Sequence, residues 1–292
     1  MNCVNMKRCL IFQSSLKAIW KNERRRTLFS YGGTATGVEE VVEIVDKEST
    51  MKKIQKRIIL IVLAVIVLIA ATALVYVFPM LSMNPMENGK ILDTGIYAIK
   101  NNSNNLFFIE SDDGYIVVDA GSDADKVAQT LNQVSIDALD VKYVLLTHSD
   151  YDHVASLNLF SNAQIFISED ELQMVNGQSK RNAFSSNTLP DGIDKEGLTL
   201  LADGQELKLG EHTVECIKTP GHTPGSMVYL LDGQYLFTGD AFKVSDNTID
   251  VHPFTMDEEI SKESILQLDS VLNRSQLVLT AHYGYYQADT IK

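Results

Sequence analysis

The sequence predicts an α+β fold, two β-rich halves stacked as layers with helices outside, behind a single membrane-spanning helix. Three observations carry this. Short apolar runs broken by Gly, Asn and Asp turns recur from Gly95 to Leu279. They fall into two similar successions of strands and helices, roughly 90–200 and 198–283, and such halves bury their apolar faces by packing as layers. Ahead of them, Ile58 to Phe78 forms 21 residues without one charge.

A chain of 292 residues can bury a substantial core, and its 45% apolar and 8% aromatic content is that of a globular protein. The net charge of −13 is unevenly placed. From Pro79 onward there are 13 Lys and Arg against 32 Asp and Glu, a balance of −19, whereas Met1 to Phe78 carries +6. A domain this acidic, with no basic patch, repels a phosphate backbone, so nucleic acid is excluded as a partner. Cys3, Cys9 and Cys216 are scattered and match no zinc or disulfide spacing.

Residues 1–57 are basic, with Arg24-Arg25-Arg26, and lack a core-forming pattern; they are expected to be poorly ordered. Met51-Lys52-Lys53 has the look of a second natural start. The span 58–78 follows, about 31 Å long as a helix against roughly 30 Å of bilayer hydrocarbon. A cleaved signal peptide has a shorter apolar region, about 7 to 15 residues, so an uncleaved signal anchor is the reading. Lys52, Lys53, Lys56 and Arg57 precede it and the next basic residue is Lys90, which orients the N-terminus to the cytoplasm and the main domain outside the cell membrane.

After a spacer, 79–88, the main domain runs from 89 to 292. Strands are expected at Gly95–Ile99, Leu106–Ile109 and Tyr115–Val118, the last two joined by an Asp113-Gly114 hairpin. A helix from about Asp123 to Val134 leads to the strand Val141–Leu146. A helix from His153 to about Phe160, a strand at Ala163–Ile167, and a capping box at Ser168–Glu171 opening a helix to Val175 come next. Residues 177–197 form a polar loop whose length points to a substrate cleft. Strands at Leu198–Leu201, Gln205–Leu209, His212–Ile217, Met227–Leu231 and Tyr235–Phe237, an amphipathic helix at Asp257–Leu272 and a strand at Leu277–Leu279 complete the domain.

The chemistry gathers where strands end. Val141–Leu146 runs into Thr147-His148-Ser149-Asp150-Tyr151-Asp152-His153, four potential metal ligands within six positions. Imidazoles and carboxylates this dense call for a cation among them. Three more strands end in metal-capable residues: Thr219-Pro220-Gly221-His222-Thr223-Pro224-Gly225-Ser226, Thr238-Gly239-Asp240, and Thr280-Ala281-His282-Tyr283-Gly284. Strand ends can meet at one edge of a layered sheet, where ligands commonly bind.

These four ordered motifs resemble the metallo-β-lactamase superfamily over about Gly89 to Gly284. The resemblance implies a four-layer αβ/βα sandwich with two divalent metal ions, zinc first, at one edge. His148, Asp150 and His222 would hold one ion; Asp152, His153 and His282 the other, with Asp240 bridging. Asp150 departs from the family's usual histidine, and a harder carboxylate there leaves iron or manganese open. The implied function is hydrolysis of a small-molecule ester, lactone, lactam, thioester or phosphodiester by a hydroxide formed between the two metals. Asp152 would orient that nucleophile and take its proton. Tyr283 is a candidate oxyanion donor, with packing as the plainer role, and Asp119 resembles the family's Asp-x-Gly as a supporting residue. His212 is read as a surface residue, and His252 as one that could line the substrate side; both are set aside as ligands. Two alternatives stand beside the hydrolase: a non-haem di-iron redox protein, which Asp150 suggests, and a non-catalytic membrane-tethered binding module.

Overall fold

The computed structural model describes residues 35–181 and 187–291. The chain divides into two units, one ending at Tyr76 and one beginning at Val77. Helix α1 runs over Ala35–Leu81, from the first unit across that division. Its Asp46–Leu81 section is long and apolar enough to cross a membrane. Residues 35–57, expected to be poorly ordered, are helical instead. Strong helix formers and the i,i+4 pairs Glu43–Lys47 and Glu48–Lys52 (2.8 and 3.8 Å) favour that conformation. Residues 1–34 lie outside the described residues, as do 182–186 of the expected loop.

In the second unit β1 (Gly89–Lys90), β2 (Ile96–Asn101), β3 (Asn104–Ser111), β4 (Gly114–Val118), β5 (Val141–Leu145), β6 (Gln164–Ser168) and β7 (Thr199–Leu201) form a seven-stranded sheet in sequence order. The first four strands pair antiparallel and β4 through β7 run parallel. A second sheet of six strands has the order β15-β14-β11-β10-β9-β8. Its members are β8 (Glu206–Leu209), β9 (His212–Lys218), β10 (Met227–Leu231), β11 (Tyr235–Gly239), β14 (Leu277–Thr280) and β15 (Gly284–Gln287). A separate hairpin joins β12 (Lys243–Ser245) to β13 (Thr248–Asp250).

The period-2 alternation of strand side chains explains why the apolar runs are continuous: both faces of each sheet are covered. From one face, Phe107, Ile109, Ile116 and Val118 meet Met227, Tyr229, Phe237 and Leu279 of the facing sheet. Phe107 and Phe237 set their ring centroids 5.3 Å apart across this contact. On the outer face of the first sheet, Leu106, Phe108 and Val117 pack on Val127 and Leu131 of helix α2 (Ala124–Val134). Val228, Leu230 and Val278, on the outer face of the second, pack on Leu268 and Val271. The layers are therefore helix, sheet, sheet, helix, as expected.

Three of the expected helices take a different form. The helix expected from His153 to Phe160 is one turn, α3 (Tyr151–Val154), followed by a 3-10 turn at Leu157–Leu159. The capping box at Ser168 makes no side-chain cap; a 3-10 turn leads to α4 (Leu172–Val175), and Glu171 turns inward. The last long helix is broken at Leu268 into α5 (Glu258–Gln267) and α6 (Asp269–Leu272).

Candidate metal centre

Every motif residue enters the site from the C-terminal end of a strand: 148–153 after β5, His222 after β9, Asp240 after β11 and His282 after β14. Asp119, just past β4, organises the first motif. It sits buried with φ +61°, and its carboxylate accepts from the Thr147 amide (2.8 Å) and hydroxyl (2.9 Å). It also accepts from His153 Nδ1 (2.8 Å). A carboxylate only accepts, so the His153 proton is on Nδ1 and Nε2 faces inward. His282 is aimed the same way, with Nδ1 donating to the Ser103 carbonyl at 2.7 Å. Thr147 Oγ, its own proton given to Asp119, lies 3.0 Å from His148 Nδ1 and leaves Nε2 of that ring free.

Asp240 stands at the centre. His153 Nε2 and His282 Nε2 lie 3.6 and 3.2 Å from its Oδ1, and His222 Nε2 lies 3.3 Å from its Oδ2. Asp152 Oδ2 is 3.4 Å from His282 Nε2 and 3.7 Å from His153 Nε2. Asp150 Oδ2 is 3.4 Å from His148 Nε2 and 3.2 Å from His222 Nε2. Donor atoms within 4.8 Å of one another thus form the groups His148–Asp150–His222 and Asp152–His153–His282 that the sequence pairs, and a further group, His148–His153–Asp240, joins them.

The fourth group is a surprise: His222, Asp240 and His252. His252 is buried, its Nε2 is 3.7 Å from Asp240 Oδ2, and neither ring nitrogen has a hydrogen-bond partner. It was set aside because nothing in an irregular stretch before a proline marks a site residue. The Thr255 amide donates to its carbonyl, and the Met256 amide to the Gly221 and His222 carbonyls, so its loop is tied to the second motif. Tyr283 is buried with its ring 5.8 Å from that of His252, and burial pushes its hydroxyl well above its ordinary pKa despite a hydrogen bond with Ser82.

Three more residues escaped the sequence reading. Glu171 is fully buried and accepts from the Ser149 amide and hydroxyl (2.9 and 2.6 Å), Thr223 Oγ1 (2.7 Å) and the Gly225 amide (3.1 Å). It clamps the first motif to the second, and Gly225 is required there because a Cβ would collide with the Glu171 backbone. Arg181 and Asn187 come from the polar loop expected near a cleft. Arg181 pairs with Asp150 through Nε (2.9 Å) and Nη2, and Nη2 lies 2.6 Å from His222 Nε2. Asn187 Nδ2 donates to Asp150 at 2.5 Å. His212, read as a surface residue, is half-buried: its ring bridges Asp232 (2.6 Å) and the Glu110 carbonyl (2.9 Å).

The charges sort themselves. Burial opposes the Asp240 carboxylate, but the imidazoles of His282, His252, His153 and His222 outweigh it and hold its pKa well below the usual range. Asp150 is likewise held low, against burial, by His148 and His222. Burial pushes His222 down to about 4 and His252 well below its ordinary value. His153 is held well above, because Asp119, Asp152 and Asp240 overcome its burial.

The donor set fits a divalent metal ion. Nε2 of His148 and of His153 and Oδ1 of Asp240 are buried without a hydrogen-bond partner among the described residues, the state expected of atoms that bind a cation.

Comparison with known proteins agrees. Residues 100–279 match the model of the metallo-beta-lactamase superfamily. The probable polyketide biosynthesis zinc-dependent hydrolase PksB of Bacillus subtilis is 34% identical over 128 residues, 43% of this chain and 48% of that protein. The chain thus matches only about half the length of that relative. An N-acyl homoserine lactonase of Bacillus cereus is 28% identical over 199 residues, 66% of this chain and 76% of the lactonase. Among solved structures, MEM-A1, a subclass B3 metallo-beta-lactamase from a soil metagenome library, superposes with a TM-score of 0.54 at 22% identity, over 68% of this chain and 80% of that one. That likeness speaks for the fold.

Proposed function

Because this chain belongs to the metallo-beta-lactamase superfamily, we propose that it is a metal-dependent hydrolase of a small molecule with an ester, lactone or thioester carbonyl. The observation that carries the reading is the convergence of His148, His153 and Asp240, buried and with ligand atoms unpartnered, at the ends of strands from both sheets. The choice of carbonyl class leans on the lactonase, whose match is the longer of the two sequence relatives above.

His148, Asp150 and His222 would hold one divalent ion, and Asp152, His153 and His282 the other, with Asp240 between. Zinc fits the imidazole-rich set, and the PksB relative is named as zinc-dependent. Such ions acidify a water and polarise the scissile carbonyl. The chain's own residues supply the rest. Asp119 and Thr147 fix the tautomers and directions of His153 and His148. Asp152, its side chain 35% exposed, would orient a water and receive its proton. Tyr283, whose ring lies 5.8 Å from that of His252, would donate to a developing oxyanion. The span within α1 would tether the domain as a single-pass anchor, N-terminus in the cytoplasm and the catalytic domain outside.

The test is a panel of lactones, thioesters, carboxylic esters, β-lactams and phosphodiesters, run on the chain as purified and after chelation, with metal content measured alongside. Turnover should vanish on chelation and return with zinc. His153→Ala and Asp240→Ala should each lower kcat/KM by at least about 100-fold, the scale on which losing metal activation registers. Turnover that survives chelation, or persists in either variant, would overturn the reading. Activity confined to β-lactams or phosphodiesters would overturn the carbonyl class alone.

A further inference from the structure

The two metal positions are not equivalent. At the second, His153 Nε2 and Asp240 Oδ1 have no hydrogen-bond partner. At the first, a cation is already present. The Arg181 guanidinium takes both oxygens of Asp150 through Nε and Nη2, and the same Nη2 reaches His222 Nε2 at 2.6 Å. Nη1 donates to the Phe254 carbonyl, which fixes the plane of the group. Two of the three donors of the His148–Asp150–His222 set are therefore engaged by one side chain, and His148 alone keeps its Nε2 free.

We propose that Arg181 is a built-in competitor for the first metal position, so that the centre loads in order, Asp152–His153–His282–Asp240 first. The inference rests on the metal reading above and goes beyond it. A guanidinium stays charged at any workable pH, and its planar fork matches a carboxylate with two directed hydrogen bonds. Asp150 suits this partner where a histidine would not: its two oxygens accept the fork, whereas an imidazole offers a single lone pair. An ion entering the first position must break the Arg181–Asp150 pair and the contact to His222 together, whereas at the second the described residues offer no guanidinium but a His282 Nε2–Asp240 Oδ1 contact at 3.2 Å. Arg181 sits in the polar loop between α4 and β7 with its side chain 18% exposed, so it has water to move into when displaced.

The test reads metal binding without turnover. The full chain in detergent, stripped of metal, is titrated with Co2+ and followed by calorimetry and by its visible absorption. Two steps are expected, the second weaker by at least about tenfold, since a charge-assisted pair must be exchanged. Arg181→Met should strengthen the weaker step by about tenfold or more and leave the stronger one unchanged. Arg181→Lys, which keeps the charge without the fork, should fall between. His282→Ala should abolish the stronger step, and His222→Ala the weaker. Equal steps in the parent chain, or an Arg181→Met titration that superimposes on the parent's, would overturn the proposal. A chain that binds no Co2+ at either position would instead overturn the metal reading from which it starts.

Discussion

Glu171 shows how one buried residue can hold a site without touching it. Its two oxygens receive four hydrogen bonds, two from Ser149 beside His148 and two from Thr223 and Gly225 beside His222. Removing the carboxylate leaves those donors buried and unmatched, so Glu171→Ala should cost about 3–5 kcal/mol of stability. Glu171→Gln keeps the shape but points an amide N–H at a donor, and should cost less, about 1–3 kcal/mol. Thermal unfolding of the two variants against the parent checks both the direction and the order. The residue was invisible in the sequence because Ser-x-x-Glu spacing matches a helix cap, and only the packed loops reveal that the side chain turns inward. His252 and Arg181 escaped for a related reason: they sit in irregular stretches where no periodicity says which way a side chain faces. The seven candidate ligands were legible because each lies just past an apolar strand.

At the scale of elements, the strands were readable because both faces are covered and their apolar runs are unbroken, as at Met227–Leu231. Short edge pieces such as β1, β12, β13 and β15 carry no such run; their strand pairing comes from the neighbour they lie against. One tie between the sheets is polar. His212, at the start of β9, bridges Asp232 at the end of β10 and the carbonyl of Glu110 in β3 of the other sheet. Burial lowers this imidazole's pKa, yet Asp232 and the Glu110 carbonyl outweigh it, and the net shift is upward from 6.5. A raised folded pKa means the charged form stabilises the fold: the contribution is complete below 6.5 and fades as pH rises through the folded value. His212→Asn should therefore lower the Tm more at about pH 5.5 than at about pH 8.5. A gap that widens with pH would show that this linkage runs the other way.

For the molecule as a whole, charge and hydropathy divide the chain where the two units meet. The apolar section of α1 is exposed along its length, a cost that only a lipid or partner surface relieves. If that section is the proposed anchor, the chain should sediment with membranes and resist alkaline carbonate. Leu63→Lys with Leu68→Lys should release it, since each charge at mid-bilayer costs about 2.5–3.5 kcal/mol on insertion scales. A chain recovered in the soluble fraction before substitution would contradict the anchor.

The central cluster draws on both layers: Asp119, Asp152 and His153 hang from the seven-stranded sheet, while His222, Asp240 and His282 hang from the six-stranded one. Neither half owns a full set of donors, so an ion of the kind proposed would join the sheets as a rivet. Loading it should raise the Tm, since an ion that binds only the closed sandwich stabilises that state. Metal loading and the closure of the sandwich would then be linked through His282, carried at the end of β14.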